Sequence, residues 1–251
     1  NFAIQSYTLT VNTAGTGAGT VGGGGTYLYS TVVTTVTASA NAGSTYTGSS
    51  GACSGTASPT SVLIDGPKTC TATFMLNPTL TVTTAGTGTG TVSGAGTYPY
   101  NTTATVNATA GGGSTFTGWS GACSGTANST TVLMDVSKTC TANFAINAYS
   151  LTVTKSGTGT GTVTSSPLPL SGSVDGGTAN FNYNTLVTLT ATATAGTSTF
   201  TSWSGCDSTS GNQCNVTMSA SRGVTATFTI NSYTVSTALT STGGSISPTS
   251  A

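Results

Sequence analysis

One segment written three times constrains the fold of this chain more than any other feature. TLTVNTAGTGAGTV from Thr8 returns as TLTVTTAGTGTGTV from Thr79 and as SLTVTKSGTGTGTV from Ser150. STYTGSSGACSGTA from Ser44 likewise returns as STFTGWSGACSGTA from Ser114 and as STFTSWSGCDSTS from Ser198. A chain built this way folds one unit several times over, and each unit must bury its own apolar face or share it with a neighbour. The repeats predict a tail of a preceding module at 1–3, modules at 4–76, 77–146 and 147–230, and the opening strands of an incomplete fourth at 231–251. The third module is longer mainly through one insertion, SSPLPLSGSVDGGTAN, near 165–180.

Inside each module the apolar residues recur at every second position, which is the period of half-buried strands. Leu9 and Val11, Val62 and Ile64, and Cys70, Ala72 and Phe74 mark inward-facing positions in the first module. No window has helical periodicity with caps. The expected fold is therefore all-β: tandem small antiparallel modules, β-grasp-like or Ig-like sandwiches, six strands each. Only five or six residues join the last strand of one module to the first of the next, with Asn77-Pro78 at one junction. Linkers that short predict abutting modules in a rod.

Cysteine falls at 53, 70, 123, 140, 206 and 214, two to a module, in a chain with no His and no C-x-x-C. That pattern favours disulfides over zinc and an extracellular or cell-surface location. Pairing within modules gives Cys53 with Cys70, Cys123 with Cys140 and Cys206 with Cys214. A module of this size, with a core of Ala, Val, Thr and a few aromatics, needs such a staple.

Charge narrows the function. Only 3% of the 251 residues are charged, four Lys or Arg against four Asp, with no Glu. General acid/base catalysis thus lacks two of its commonest carriers, metal sites lack imidazole and clustered carboxylates, and nucleic-acid binding lacks a basic stripe. The expectation is no enzyme, no cofactor, no metal and no nucleic-acid partner. No apolar run approaches the length of a membrane span.

The motifs TFTGWSGACSG, Y-x-T-x-V-T-L-T-A and V-T-M-x-x-x-R-x-V-T-A-T-F resemble the divergent internalin-type B-repeat family, a bacterial module found in tandem in secreted and surface proteins. The third module fits best through its Cys206 to Cys214 spacing. The first two modules shift the second cysteine to the last strand, and the first carries Ser49 where the family has Trp. The resemblance implies β-grasp-like modules used as stalks, adhesive segments or spacers, and implies no catalytic residues.

Several residues carry two readings. Trp119 and Trp203 could stack on a sugar of a surface glycan or pack over the neighbouring disulfide and glycine turn, and packing is favoured because Ser49 replaces the Trp in a matching module. Tyr27 and Tyr29, like Tyr98 and Tyr100, are spaced so that one faces in and one out. Asp65 with Lys68 and Asp135 with Lys138 read as weak surface ion pairs rather than isopeptide precursors. Asp175-Gly176-Gly177 resembles a fragment of a calcium loop, yet one carboxylate is a weak ligand set. Asn101, Asn107, Asn128 and Asn215 open N-x-S/T sequons that Thr richness generates by chance. The AGTGTG runs are turns, since no helix or Lys-Ser/Thr follows them.

The favoured function is a structural repeat segment, a stalk or the subunit of an extracellular fibre. Its partner would be a second copy, by lateral packing of uncharged faces or by strand addition at the incomplete end modules. The alternative is an adhesin or carbohydrate-binding module.

Overall fold

A computed structural model describes residues 4–236, so the tail at 1–3 and most of the fourth module, 237–251, lie outside the described residues. The first module contains β1 (Ser6–Ala14), β2 (Gly19–Gly22), β3 (Gly25–Leu28), β4 (Thr31–Ala40), β5 (Ser44–Gly51), β6 (Thr60–Ile64) and β7 (Lys68–Leu76). The second repeats it with β8 (Thr79–Gly86), β9 (Gly90–Ser93), β10 (Gly96–Thr97), β11 (Thr102–Ala110), β12 (Ser114–Gly121), β13 (Ser129–Met134) and β14 (Lys138–Ile146). The third contains β15 (Ala148–Gly157), β16 (Gly161–Ser166), β17 (Ser171–Gly172), β18 (Thr178–Asn182), β19 (Leu186–Ala193), β20 (Ser198–Ser204), β21 (Ser208–Ser210), β22 (Gln213–Thr217) and β23 (Arg222–Ile230). No helix occurs among the described residues.

Each module is two facing sheets. In the first, β3-β1-β7-β5 lies opposite β2-β4-β6, and the second repeats this as β10-β8-β14-β12 and β13-β11-β9. In the third, insertion strand β17 extends one sheet to β17-β18-β15-β23-β20, and β21 extends the other to β16-β19-β22-β21. Two expectations need correction. Each of the first two modules has seven strands instead of the six expected, because in the first the segment before Tyr29 forms two, β2 and β3, in different sheets. The chain turns the corner at Gly23, whose φ is 88° and where a Cβ would lie 2.7 Å from the carbonyl oxygen of Thr35. The modules are also not purely antiparallel. In the first, β1 runs parallel to β7, from Leu9 opposite Lys68 to Ala14 opposite Thr73, and β8 with β14 and β15 with β23 do the same. Parallel neighbours need a long crossover, and here the rest of the module supplies it. The parallel first and last strands are β-grasp-like, and the second sheet closes the core as a sandwich.

The alternation read from sequence places the core. Leu9, Val33, Val36, Cys53, Val62, Ile64 and Cys70 form the first core. The second gathers Leu80, Ala104, Val106, Ala108, Val132, Met134, Cys140, Ala142 and Phe144. The third is larger, because the insertion adds Val174 and Phe181 is buried in β18. Outward positions of the same strands are uncharged and polar: Thr10 faces Thr69 and Asn12 faces Thr71 across β1 and β7, and Thr83 bonds Thr141 at 3.0 Å in the second module.

The repeated G-T-G-x-G turn follows from one aromatic. The amides of Gly17, Gly88 and Gly159 donate to the carbonyls of Phe74, Phe144 and Phe228 at 2.9, 3.0 and 3.0 Å. The turn therefore lies flat on the last strand. At the third glycine of the motif a Cβ would sit 2.3 Å from the Phe ring, at Gly19, Gly90 and Gly161 alike. These glycines are steric clearances for a buried phenyl ring, which accounts for their return in every module.

By contacts the chain divides into two units, one ending at Ile146 and holding the first two modules, the other beginning at Asn147 and holding the third.

Candidate functional site

All six cysteines are paired, within modules. Cys53 joins Cys70 and Cys123 joins Cys140, each spanning 17 residues, with Cα separations of 5.2 and 5.1 Å. Both bolt the loop after β5 or β12 onto the central parallel strand, where Gly51 already faces Cys70 and Gly121 faces Cys140. Cys206 joins Cys214 over 8 residues at a Cα separation of 5.6 Å. In the third module Val224 takes the core position of Cys70, and the bridge runs to β22 of the other sheet. The same loop is fastened by a different route.

The tryptophans are held by the modules that carry them. Trp119 is 7% exposed, meets Phe116 edge-on at 5.5 Å, and donates its Nε1–H to the carbonyl of Ala127 at 3.1 Å. Trp203 is half-buried, meets Phe200 at 5.5 Å, and donates to the carbonyl of Asn212 at 3.1 Å. Each ring thus pins the loop after its strand, which satisfies the polar edge of a buried indole. In the first module two residues change together. Tyr46 replaces Phe116, Ser49 replaces Trp119, and the Tyr46 hydroxyl lies 2.7 Å from Ser49 Oγ. The space left is small: a cavity of about 10 Å³ bounded by Val36, Tyr46, Ser49, Ala57 and Cys70. That is about the minimum for one water. The inner tyrosines are internal too, with Tyr27 and Tyr98 hydroxyls donating to the carbonyls of Gly23 and Gly94 at 2.9 and 2.8 Å, while Tyr29 is 56% exposed.

Every charged side chain among the described residues is in a pair. Asp65 holds Lys68 at 2.5 Å and Asp135 holds Lys138 at 2.6 Å at equivalent turns. The lysine hydrogen bond holds each carboxyl below its ordinary range. Asp207 is held low first by the Thr217 amide and then by Arg222, which it meets at 2.8 Å. Asp175 is engaged by Lys155 at 2.9 Å and by the Val163 amide at 3.0 Å, which hold its carboxyl low in that order. It buttons the insertion onto β15 and β16, with buried Val174 beside it. Of the sequon residues, Asn101 (φ 62°), Asn107 and Asn128 are exposed, whereas the Asn215 side chain accepts from the Thr188 hydroxyl at 2.8 Å and donates to Ser208.

Asn77-Pro78, in the sequence only a short linker, is tied to both of its neighbours. The Thr45 hydroxyl donates to Asn77 Oδ1 at 2.6 Å, and the Tyr100 amide of the second module reaches both Thr45 Oγ1 at 3.2 Å and Asn77 Oδ1 at 3.3 Å. The signal available was the return of Thr before the strand aromatic and Asn at the junction: Thr199 donates to Asn231 Oδ1 at 2.7 Å in the third module.

Comparisons with known proteins agree with the repeat boundaries seen in the strands. The model of the divergent InlB B-repeat domain matches residues 7–78, 80–148 and 149–232. A solved structure titled "The Bacillus anthracis TIE protein" aligns at 12% identity and a TM-score of 0.39 over 90% of this chain. The chain spans about half of that protein, 51% of its length. No curated protein matches the sequence. With three copies spanning nearly all of its described residues, the chain belongs to the divergent InlB B-repeat family.

Proposed function

We propose that this chain is a structural repeat segment of a bacterial protein displayed outside the cytoplasm, where it serves as a stalk or as part of an extracellular fibre. The observation that carries the reading is that the conspicuous side chains are spent on holding modules together. The six cysteines form three bridges, both tryptophans cap loops, and the described charges are paired. Disulfides in all three modules fit an oxidising compartment, and the family is one of repeat domains without typical enzymatic members. Neutral, hydroxyl-bearing sheet faces suit close neighbours, since copies meet without charge repulsion. Strand addition at the edge strands β3 and β5 is the route by which copies would join into a fibre.

The test is to delete the second module, residues 77–146, from the parent protein and image the cell surface by electron microscopy with a label on the distal part. The label moves closer to the envelope if the segment spans distance, and an unchanged label position contradicts a stalk. Sedimentation velocity over a wide concentration range reads the fibre reading separately, and glycan-array binding that is lost in Trp203→Ala would favour an adhesin instead.

A further inference from the structure

We infer that the junction residue Asn77 is a joint lock: it fixes the first and second modules at one mutual orientation through a shared hydrogen-bond node, with only a narrow apolar contact beside it. The inference deepens the stalk reading, on which it rests, by naming what would make this segment of the stalk stiff.

Modules joined by a short linker still rock unless a sizeable interface holds them. Around this junction apolar surface stays open. Leu76 and Val136 are 60% and 59% exposed on either side of a cleft of about 330 Å³ that Met75, Pro78 and Tyr100 also line. Apolar burial at the junction is therefore narrow, with Pro78 buried and Met75 and Tyr100 half-buried. The polar node holds the angle: the Asn77 amide donates to the Gly43 carbonyl at 2.8 Å and its Oδ1 accepts from the Thr45 hydroxyl, both within the first module. The same Oδ1 and Thr45 Oγ1 share the Tyr100 amide of the second module, and the Tyr98 amide donates to the carbonyl of buried Pro78 at 3.0 Å. Proline restricts the remaining freedom at φ and at the residue before it.

Two recurrences mark the node as built rather than incidental. The Thr to Asn hydrogen bond returns between Thr199 and Asn231, whose amide donates to the Thr197 carbonyl at 2.8 Å as that of Asn77 does to Gly43. The residue at the junction also receives the equivalent tyrosine amide elsewhere: Tyr29 donates to the Gln5 carbonyl and Tyr183 to the Asn147 carbonyl, both at 2.8 Å. At Asn77 the acceptor is the side chain, and the preceding module's threonine shares the tyrosine amide with it.

The test uses the full chain and residual dipolar couplings of backbone amides in a weakly aligning medium. In the native protein one alignment tensor should fit the amides of modules one and two together. Thr45→Val, which keeps the side-chain shape and removes the hydroxyl, and Asn77→Ala should each split the fit into two tensors of different magnitude, while the amide shifts within each module stay native. The lock is overturned by two tensors in the native protein, or by one common tensor persisting in both variants. Either negative result leaves the distance-spanning test of the stalk untouched, because a jointed stalk still spans.

Discussion

A buried tryptophan that hydrogen-bonds a loop carbonyl contributes to stability in a way that a surface sugar platform does not. Trp119→Ala should cost about 3–5 kcal/mol in the second module, as for other large-to-small aromatic truncations. Thermal unfolding checks it, and an unchanged midpoint would return Trp119 to the role of an exposed contact. Gly90 meets the Phe144 ring, so Gly90→Ala should overpack the core and cost about 1–3 kcal/mol, whereas the same change at exposed Gly223, where a Cβ would meet nothing within 4 Å, carries no such clash. Chemical denaturation of the two variants distinguishes them. At this scale the sequence disclosed which positions face in, because alternation is a direct readout of the pleat. It disclosed that Ser49 departs from the Trp pattern, but not that Tyr46 turns its hydroxyl onto Ser49, because that compensation depends on where the loop between β5 and β6 closes.

At the scale of elements, the staples differ in reach. Replacing both Cys123 and Cys140 by Ser should cost about 3 kcal/mol, since the bridge closes a loop of 17 residues, and replacing Cys206 and Cys214 should cost less because that loop has 8. Module-resolved hydrogen exchange would show the loss confined to the altered module, and destabilisation spread evenly over all three would contradict independent cores. The pairing was legible from the cysteine spacing, two to a module. The parallel pairing of first and last strands was not, because strand direction is set by where the crossover leads, and neither Leu9 nor Lys68 carries a mark of its neighbour's polarity. The switch between β2 and β3 was hidden for a related reason: Gly23 sits in a run of four glycines, and the contact with Thr35 that makes it the corner is not local.

At the scale of the whole molecule, the scarcity of charge has a consequence for pH. Each Asp is held below its ordinary value of 3.8 by a cation or an amide in the folded state. A depressed carboxyl stabilises the fold above its unfolded pKa and ceases to do so as pH falls through the folded one. With no His and no Glu in the chain, no side chain changes charge between about pH 5 and 8. Stability should therefore be level across that range and decline only below about pH 4, and a transition near pH 6 in thermal unfolding would contradict the account. Separately cored, disulfide-stapled modules should give way one at a time when the full chain is pulled from its two ends by single-molecule force spectroscopy, with one unfolding step per module. After reduction two steps should lengthen by roughly 6 nm and one by roughly 3 nm, as 17 and 8 residues are released at about 3.6 Å each. A single cooperative rupture of the whole chain, or steps that reduction leaves unchanged, would overturn the picture of separate stapled cores.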